Sequence, residues 1–315
     1  MDEVNRTGQV EQETVGVFRR LWRVSPALMG LSLAHVGLLA LFLVGLWVDP
    51  RWVSGQPVWL KPAKFAGSIA LYAVTLAWML SWVEGRLRTV RAVGGVTAAM
   101  LWLEIAIISL QAARGVRSHF NATTVLDGVL FSVMGVGILT AWGAGVVAAW
   151  LLFRQRFQDD ALALALRLGM VLTLAGALTG GLMTTPTPAQ VEQLAQGRPG
   201  EAGAHSVGVA DGGPGLPVLG WSSEGGDLRV PHFLGLHAMQ ALPLLGLWLG
   251  RGERRLRAGA RVRLVWAGAL AWGGMFVVLT WQALRGEPLL SPGPATLIAL
   301  GVLAVASLLV AATAL

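Results

Sequence analysis

Residues 25–48 read SPALMGLSLAHVGLLALFLVGLWV, and His35 is the one ionisable side chain in this stretch. Because an α-helix rises about 1.5 Å per residue, a run of this length crosses the roughly 30 Å of hydrocarbon in a bilayer. A secretory signal would have a shorter apolar core and a small-residue cleavage site. The stretch therefore predicts a retained transmembrane helix.

Comparable apolar runs recur through the 315 residues, of which 55% are hydrophobic and 13% charged. This composition is too apolar for a water-soluble domain. We predict an all-α, polytopic bundle of about eight transmembrane helices, at 25–48, 65–83, 92–112, 124–153, 161–184, 231–250, 264–283 and 293–314. The predicted organisation is a tail at 1–24, helices 1–5 within 25–184, a Gly/Pro-rich loop at 185–230, and helices 6–8 within 231–315.

Lysine and arginine differ in density between the two sides of this predicted bundle, with sixteen on one side and eight on the other. The denser side comprises residues 1–24, 84–91, 154–167 and 251–263. Because positively charged loops stay in the cytoplasm, both termini are predicted to be cytoplasmic. The abundance of alanine, glycine and arginine suggests a bacterial cytoplasmic (inner) membrane. The basic loops are short and lie against that lipid bilayer, which argues against nucleic acid as a partner.

Four of the five histidines fall on the extracytoplasmic side of this topology. Imidazole is a good ligand for haem iron, zinc or copper, and we predict His119 and His237 as the axial or first-shell ligands of haem b or a transition metal, with His232 as a third candidate. His232 and His237 are five residues apart, so on a regular helix they point about 140° apart. They converge only if His232 lies in the helix cap or if Gly235 permits a local distortion. The alternative is that these histidines are surface residues and that no cofactor is bound.

Basic and polar residues accompany the histidines. Lys64, Arg114, Arg117 and Arg229, with Gln240, are candidates for binding an acidic group, such as a haem propionate or a small anionic ligand. For Lys64 the alternative is that its ammonium group simply reaches the interface from the start of a helix.

Two ionisable residues lie deep in the predicted membrane. His35 and Glu104 are 12 and 13 residues beyond Arg23 and Arg91, respectively, which places both about 20 Å along their helices and close to the midplane. Intramembrane ionisable residues often form proton paths, so the pair is a candidate path. The alternative is a neutral hydrogen bond between the first and third helices.

The 185–230 loop contains ten glycines and five prolines. Its PAQVEQLAQ segment predicts a short helix that begins at Pro188 and stops at Gly197. A loop of this length is more often functional than an ordinary connection, and one hypothesis is that it docks a membrane or extracytoplasmic protein partner.

The function stays open between three hypotheses. The chain has no cysteine, which excludes disulfides and thiolate chemistry, and it lacks both a G-x-x-x-x-G-K-[ST] loop and a G-x-S-x-G elbow. The first hypothesis is a haem- or metal-binding membrane protein for redox or small-molecule chemistry, which would make it a membrane oxidoreductase. The second is a cofactor-free transporter or sensor of an anionic solute or lipid, with His35 and Glu104 coupling protons. The third is a non-catalytic subunit.

Overall fold

The computed structural model describes residues 15–251 and 256–314, and this part of the chain is helical apart from two short β-pairs. Arg6, Arg254 and Arg255, which contribute to the predicted orientation, lie outside the described residues. Residues 15–24 are helical (α1), and the other helices are α2 (Pro26–Val48), α3 (Leu60–Leu80), α4 (Leu87–Arg114), α5 (Val125–Arg154), α6 (Asp160–Met183), α7 (Pro188–Ala195), α8 (Arg229–Leu236), α9 (Ala238–Arg251), α10 (Ala258–Leu284) and α11 (Pro294–Ala312). The antiparallel pairs join β1 (Trp52–Val53) to β2 (Gln56–Pro57) and β3 (Ser206–Val207) to β4 (Gly226–Asp227).

The predicted all-helical architecture is confirmed. Within the described residues, seven helices are long and apolar enough to cross a membrane, and α8 with α9 forms one further bent pair, giving up to eight spans. These lengths and hydropathies are those of a multi-pass membrane protein. The main difference from the predicted helices lies in the sixth, which breaks into two parts at an angle of 40°.

The chain forms two compact units. Unit 1 comprises Met1–Asp49, Trp59–Leu110 and Val136–Gln155, and unit 2 comprises Pro50–Val58, Gln111–Gly135 and Arg156–Leu315. In unit 1, α3 buries Ala66, Ala73 and Ala77 completely, and such small residues let helices approach closely. The Ser32 hydroxyl of α2 donates to the Ala70 carbonyl of α3 at 2.9 Å, so these two helices are also tied by a hydrogen bond.

In unit 2, α6 packs against α8, α9 and α10, and α10 packs against α11. Ala161, Ala165, Leu242, Val265 and Ala269 are buried together where α6, α9 and α10 meet. Short side chains on α6 bring the neighbouring helices close to its backbone.

Three segments of unit 2 contact one another, and we call them together the cap. They are residues 50–58, residues 111–124, which include the end of α4, and residues 185–228, which include α7. The capping box between Thr187 and Gln190 begins α7 at Pro188, and Gly197 has a φ of +67° just after the helix, so the predicted short helix is confirmed. The Ala202 amide donates to the carbonyl of Phe120 at 2.8 Å, so the long loop is hydrogen-bonded to the 111–124 loop.

The connection between α10 and α11 is organised by Glu287. Hydrogen bonds from the Thr296 hydroxyl, the Gly293 amide and the Arg285 guanidinium lower the pKa of this carboxyl from 4.5 to about 2. The Thr296 and Gly293 bonds satisfy donors at the beginning of α11.

We expect acid to weaken this connection. Because the Glu287 pKa is lowered in the folded state, its stabilisation is complete above pH 4.5 and is lost progressively as the pH falls towards 2. Thermal unfolding in detergent between pH 6 and pH 2.5 should show a steeper fall in Tm for the wild type than for Glu287→Gln. Parallel Tm curves for the two proteins would contradict this role.

Candidate functional site

The sixth predicted span is interrupted at His237, which ends α8 with φ −82° and ψ 0°. A helix break inside a membrane leaves backbone groups without partners, and other side chains must satisfy them. The Thr173 hydroxyl of α6 donates to the Leu236 carbonyl at 3.2 Å and accepts from the Met239 amide at 3.0 Å. The Trp272 indole of α10 donates to the Leu234 carbonyl at 2.8 Å. The break is therefore built into the packing of unit 2.

The backbones of α6 and α8 touch at Gly176 and Gly235. A Cβ atom on Gly176 would lie 2.5 Å from the Gly235 Cα, so neither position has room for a side chain. This crossing lets His232 reach α6, where its Nδ1 lies 2.8 Å from the Gly176 carbonyl oxygen and 3.2 Å from the Thr179 hydroxyl. The absence of a side chain at Gly176 therefore permits the close packing of α6 and α8.

Three histidines of unit 2 share one hydrogen-bonding pattern. Nδ1 of His205 lies 2.7 Å from the Asp211 carboxylate, Nδ1 of His232 faces the Gly176 carbonyl, and Nδ1 of His237 lies 3.3 Å from Gln240 Oε1. Each partner is a hydrogen-bond acceptor, so Nδ1 carries the proton in every case. The lone pair of a neutral imidazole then lies on Nε2, as it does in most metal-binding histidines.

His119 lies in the cap and is near His232. Its Nδ1 is 3.1 Å from the Ser118 hydroxyl, and its ring centroid is 6.1 Å from that of Phe120 and 6.3 Å from that of Phe131. Phe120, next to His119, is buried with Met183 at the end of α6 and with Leu228 just before α8, which places His119 at the end of these helices that carries His232. On the opposite side of this aromatic cluster, His205 packs its ring 4.9 Å from Phe120.

His237 is separate from this group. Within the described part of the chain, the His237 side chain contacts Gln240 and the Phe233 ring, whose centroid lies 6.2 Å from that of His237, and it contacts no other histidine. His237 and Gln240, three residues apart, therefore contact each other through their side chains.

Asp211 anchors the histidine of the long loop. Burial raises the pKa of this carboxyl, but hydrogen bonds from the His205 ring and from the amides of His205 and Ser206 outweigh burial and hold the pKa well below its usual range. The Asp211 carboxylate is therefore ionised at neutral pH and fixes the orientation of the His205 ring.

The three candidate arginines of unit 2 all pair with carboxylates of the same unit. Arg114 lies 2.6 Å from Asp127, which also accepts from Gln111 and Thr124, and Arg229 lies 2.6 Å from Asp227. Arg117 pairs with Glu201. The Arg117–Glu201 pair joins two segments of the cap, and the other two pairs tie the cap to α5 and α8. All three pairs neutralise the charges that were predicted to hold an acidic ligand. Binding of such a ligand by these arginines stays a prediction.

The remaining candidate residues belong to unit 1. Lys64 is half-buried near the start of α3. His35 is fully buried, donates from Nδ1 to the Leu31 carbonyl at 2.8 Å and packs its ring 4.8 Å from that of Trp102. Glu104 is buried at 5% exposure. Within the described residues no hydrogen bond joins His35 to Glu104, so the direct link considered from the sequence is not present.

Sequence reasoning missed Asp227 and Thr173. Asp227 is 2% exposed and accepts from the amides of Ser222 and Arg229 as well as from the Arg229 guanidinium. The sequence did carry a signal for Asp227 in the stretch GGDLR at 225–229, where an aspartate follows two glycines and precedes an arginine by two residues. Thr173 gave no signal, because a threonine in an apolar helix is usually bonded to its own helix.

Among residues 15–251 and 256–314, no three His, Cys, Asp or Glu side chains lie close enough together to hold a metal ion. The fold and these contacts define a multi-pass helical membrane protein with a broken helix and a structured cap. Comparison with protein-family models, with curated proteins and with solved structures gave no match.

Proposed function

We propose that unit 2 binds a haem, or another metal complex, through the Nε2 atoms of His119 and His232 and serves redox or small-molecule chemistry as a membrane oxidoreductase. The observation that carries this proposal is the Nδ1–H of His232, which is held by the Gly176 carbonyl at 2.8 Å. That hydrogen bond fixes the ring and directs the lone pair of Nε2 away from α6.

A metal complex that already carries most of its own ligand atoms fits unit 2 better than a free metal ion. A structural or catalytic ion usually takes three or four protein ligands, and no group of three candidate ligands converges within the described residues. Haem supplies four nitrogens from its ring and needs one or two axial imidazoles from the protein. His119 and His232 are both found at the end of α6 and α8 where Phe120, Met183 and Leu228 are buried together. His237, which contacts neither, is less favoured as a ligand.

The test is an absorption spectrum and a metal analysis of the protein purified in detergent. We expect a Soret band with equimolar iron for haem, or an equimolar metal without that band for another complex. His232→Gln and His119→Gln should each lower the bound metal at least tenfold, whereas His237→Gln, the matched control, should retain it. Wild-type protein without stoichiometric metal or a Soret band, even after reconstitution with haem, would reject the proposal.

A second candidate function is proton-coupled transport of a small anion, and the broken α8–α9 helix supports it. Discontinuous helices mark the binding sites of many transporters. In liposomes carrying a pH gradient, the wild type should then take up a small organic anion from a tested panel, and Glu104→Gln should take it up without proton coupling. Uptake by Glu104→Gln with unchanged coupling would contradict the role of this residue.

A further inference from the structure

A row of buried polar side chains runs through the hydrophobic interior of unit 1. It is contributed by α2, the residue before α2, and α4. The exposed fractions are 1% for Ser25, 7% for Ser32, 0% for His35, 0% for Thr97 and 5% for Glu104. Burying polar groups among apolar ones is unfavourable unless they are hydrogen-bonded.

Helices α2 and α4 run in the same direction, which places these side chains at successive levels. The Arg91 guanidinium donates to the Arg23 carbonyl at 2.9 Å, and Ser25 faces Gly94 one step further along. About 15 Å further along α2, by helical rise, the His35 ring packs against Trp102. Contacts at both ends therefore define one seam between the two helices.

Three polar atoms in this seam lack partners within the described residues. They are Ser25 Oγ, Thr97 Oγ1 and His35 Nε2. Since Nδ1 of His35 donates to the Leu31 carbonyl, the neutral ring has its lone pair on Nε2. A buried acceptor and two buried hydroxyls without partners are the usual environment of internal water.

We propose that a file of water molecules occupies this seam, from Ser25 past Thr97 to His35, and delivers protons to His35 Nε2 from the end marked by Arg23 and Arg91. A water molecule donates its proton to the Nε2 lone pair, and each following water replaces the proton lost by the one before it. The net change is one proton taken from a hydronium ion in the bulk solvent, which becomes water, and an imidazolium whose Nδ1–H bond to Leu31 is intact. The inference does not depend on the metal site of unit 2.

Water-edited solid-state NMR of histidine-labelled protein in lipid bilayers tests the seam directly. Polarisation from water should reach His35 Nε2, assigned by its loss in His35→Gln, several-fold faster than it reaches the amide of Ala73, which is buried on α3. A His35 signal that builds up no faster than the Ala73 amide would show a dry seam and overturn the proposal.

Removal of one seam hydroxyl gives an independent readout. Thr97→Val should slow the transfer to His35 at least twofold and lower the Tm, because it removes a group that binds water. In a dry seam the same change would remove an unsatisfied hydroxyl and would leave the Tm unchanged or raised. The control is Thr75→Val on α3, where the hydroxyl donates to the Leu71 carbonyl. It should leave the transfer unchanged, and an equal effect of both variants would contradict the proposal.

Discussion

Replacement of Gly176 with alanine is expected to destabilise unit 2 by about 3 kcal/mol, a typical upper value for overpacking a helix interface. The added Cβ would lie 2.5 Å from the Gly235 Cα and 2.6 Å from its carbonyl carbon. Because these atoms belong to the backbone, α6 and α8 must separate to admit the methyl group. Separation would also pull the Gly176 carbonyl away from His232, so the variant should bind less metal than the wild type.

Gly181→Ala is the matched control on the same helix. A Cβ at Gly181 would meet nothing within 4 Å, and alanine favours helix over glycine by roughly 1 kcal/mol. Reversible unfolding in mixed detergent should therefore give a large loss of stability for Gly176→Ala and none for Gly181→Ala. Equal stability of the two variants would show that the helices do not cross at Gly176.

Replacement of Asp227 with alanine is expected to cost about 3 kcal/mol and to release the cap. Its side chain is 1% exposed, and that of Arg229 is 20% exposed. Removing one partner of a buried ion pair leaves the other charge without compensation, which is among the most destabilising changes known. The amides of Ser222 and Arg229 would lose their acceptor in the same step.

Two comparisons separate this effect from a general loss of charge. Glu224→Ala removes an exposed carboxylate three residues away and should leave the Tm within about 1 degree of the wild type, as expected for a surface change. The double variant Asp227→Leu with Arg229→Met should recover part of the lost stability, since neither charge is then left alone.

Limited proteolysis should cut the 185–228 loop faster in Asp227→Ala. An unchanged digestion pattern would contradict the role of Asp227 as an anchor of the cap.

The transmembrane helices followed from the sequence because hydropathy and helix length depend on local residues. The break at His237 did not, since the groups that satisfy it come from distant elements. Thr173 is 63 residues from Leu236, and Trp272 is 38 residues from Leu234. Pro243, whose missing amide would favour a kink at its own position, instead lies inside α9. Tertiary contacts thus decided where this helix is interrupted.

The same limit applies to the candidate site. Histidines and arginines on one predicted side were recognisable as a set, but their partners were not. Arg117 pairs with Glu201, and Phe120, next to His119, packs with Leu228, through contacts that span more than eighty residues of sequence. The arginines proved to be ion-paired within unit 2, whereas Nδ1 of three histidines proved to be engaged by acceptors. These contacts favour a role of the histidines as metal ligands over a role of the arginines in binding an anion.

Metal-edge X-ray absorption on the purified, metal-loaded protein tests the central claim most directly. Coordination by His119 and His232 predicts the multiple-scattering pattern of imidazole, with nitrogen at about 2.0–2.1 Å, a distance common to metal–histidine bonds. In His237→Gln this imidazole contribution should be unchanged, whereas His232→Gln should retain at most a tenth of the metal and give a correspondingly weak absorption edge. A spectrum without imidazole scattering, or one that is identical in His232→Gln, would contradict ligation by these histidines.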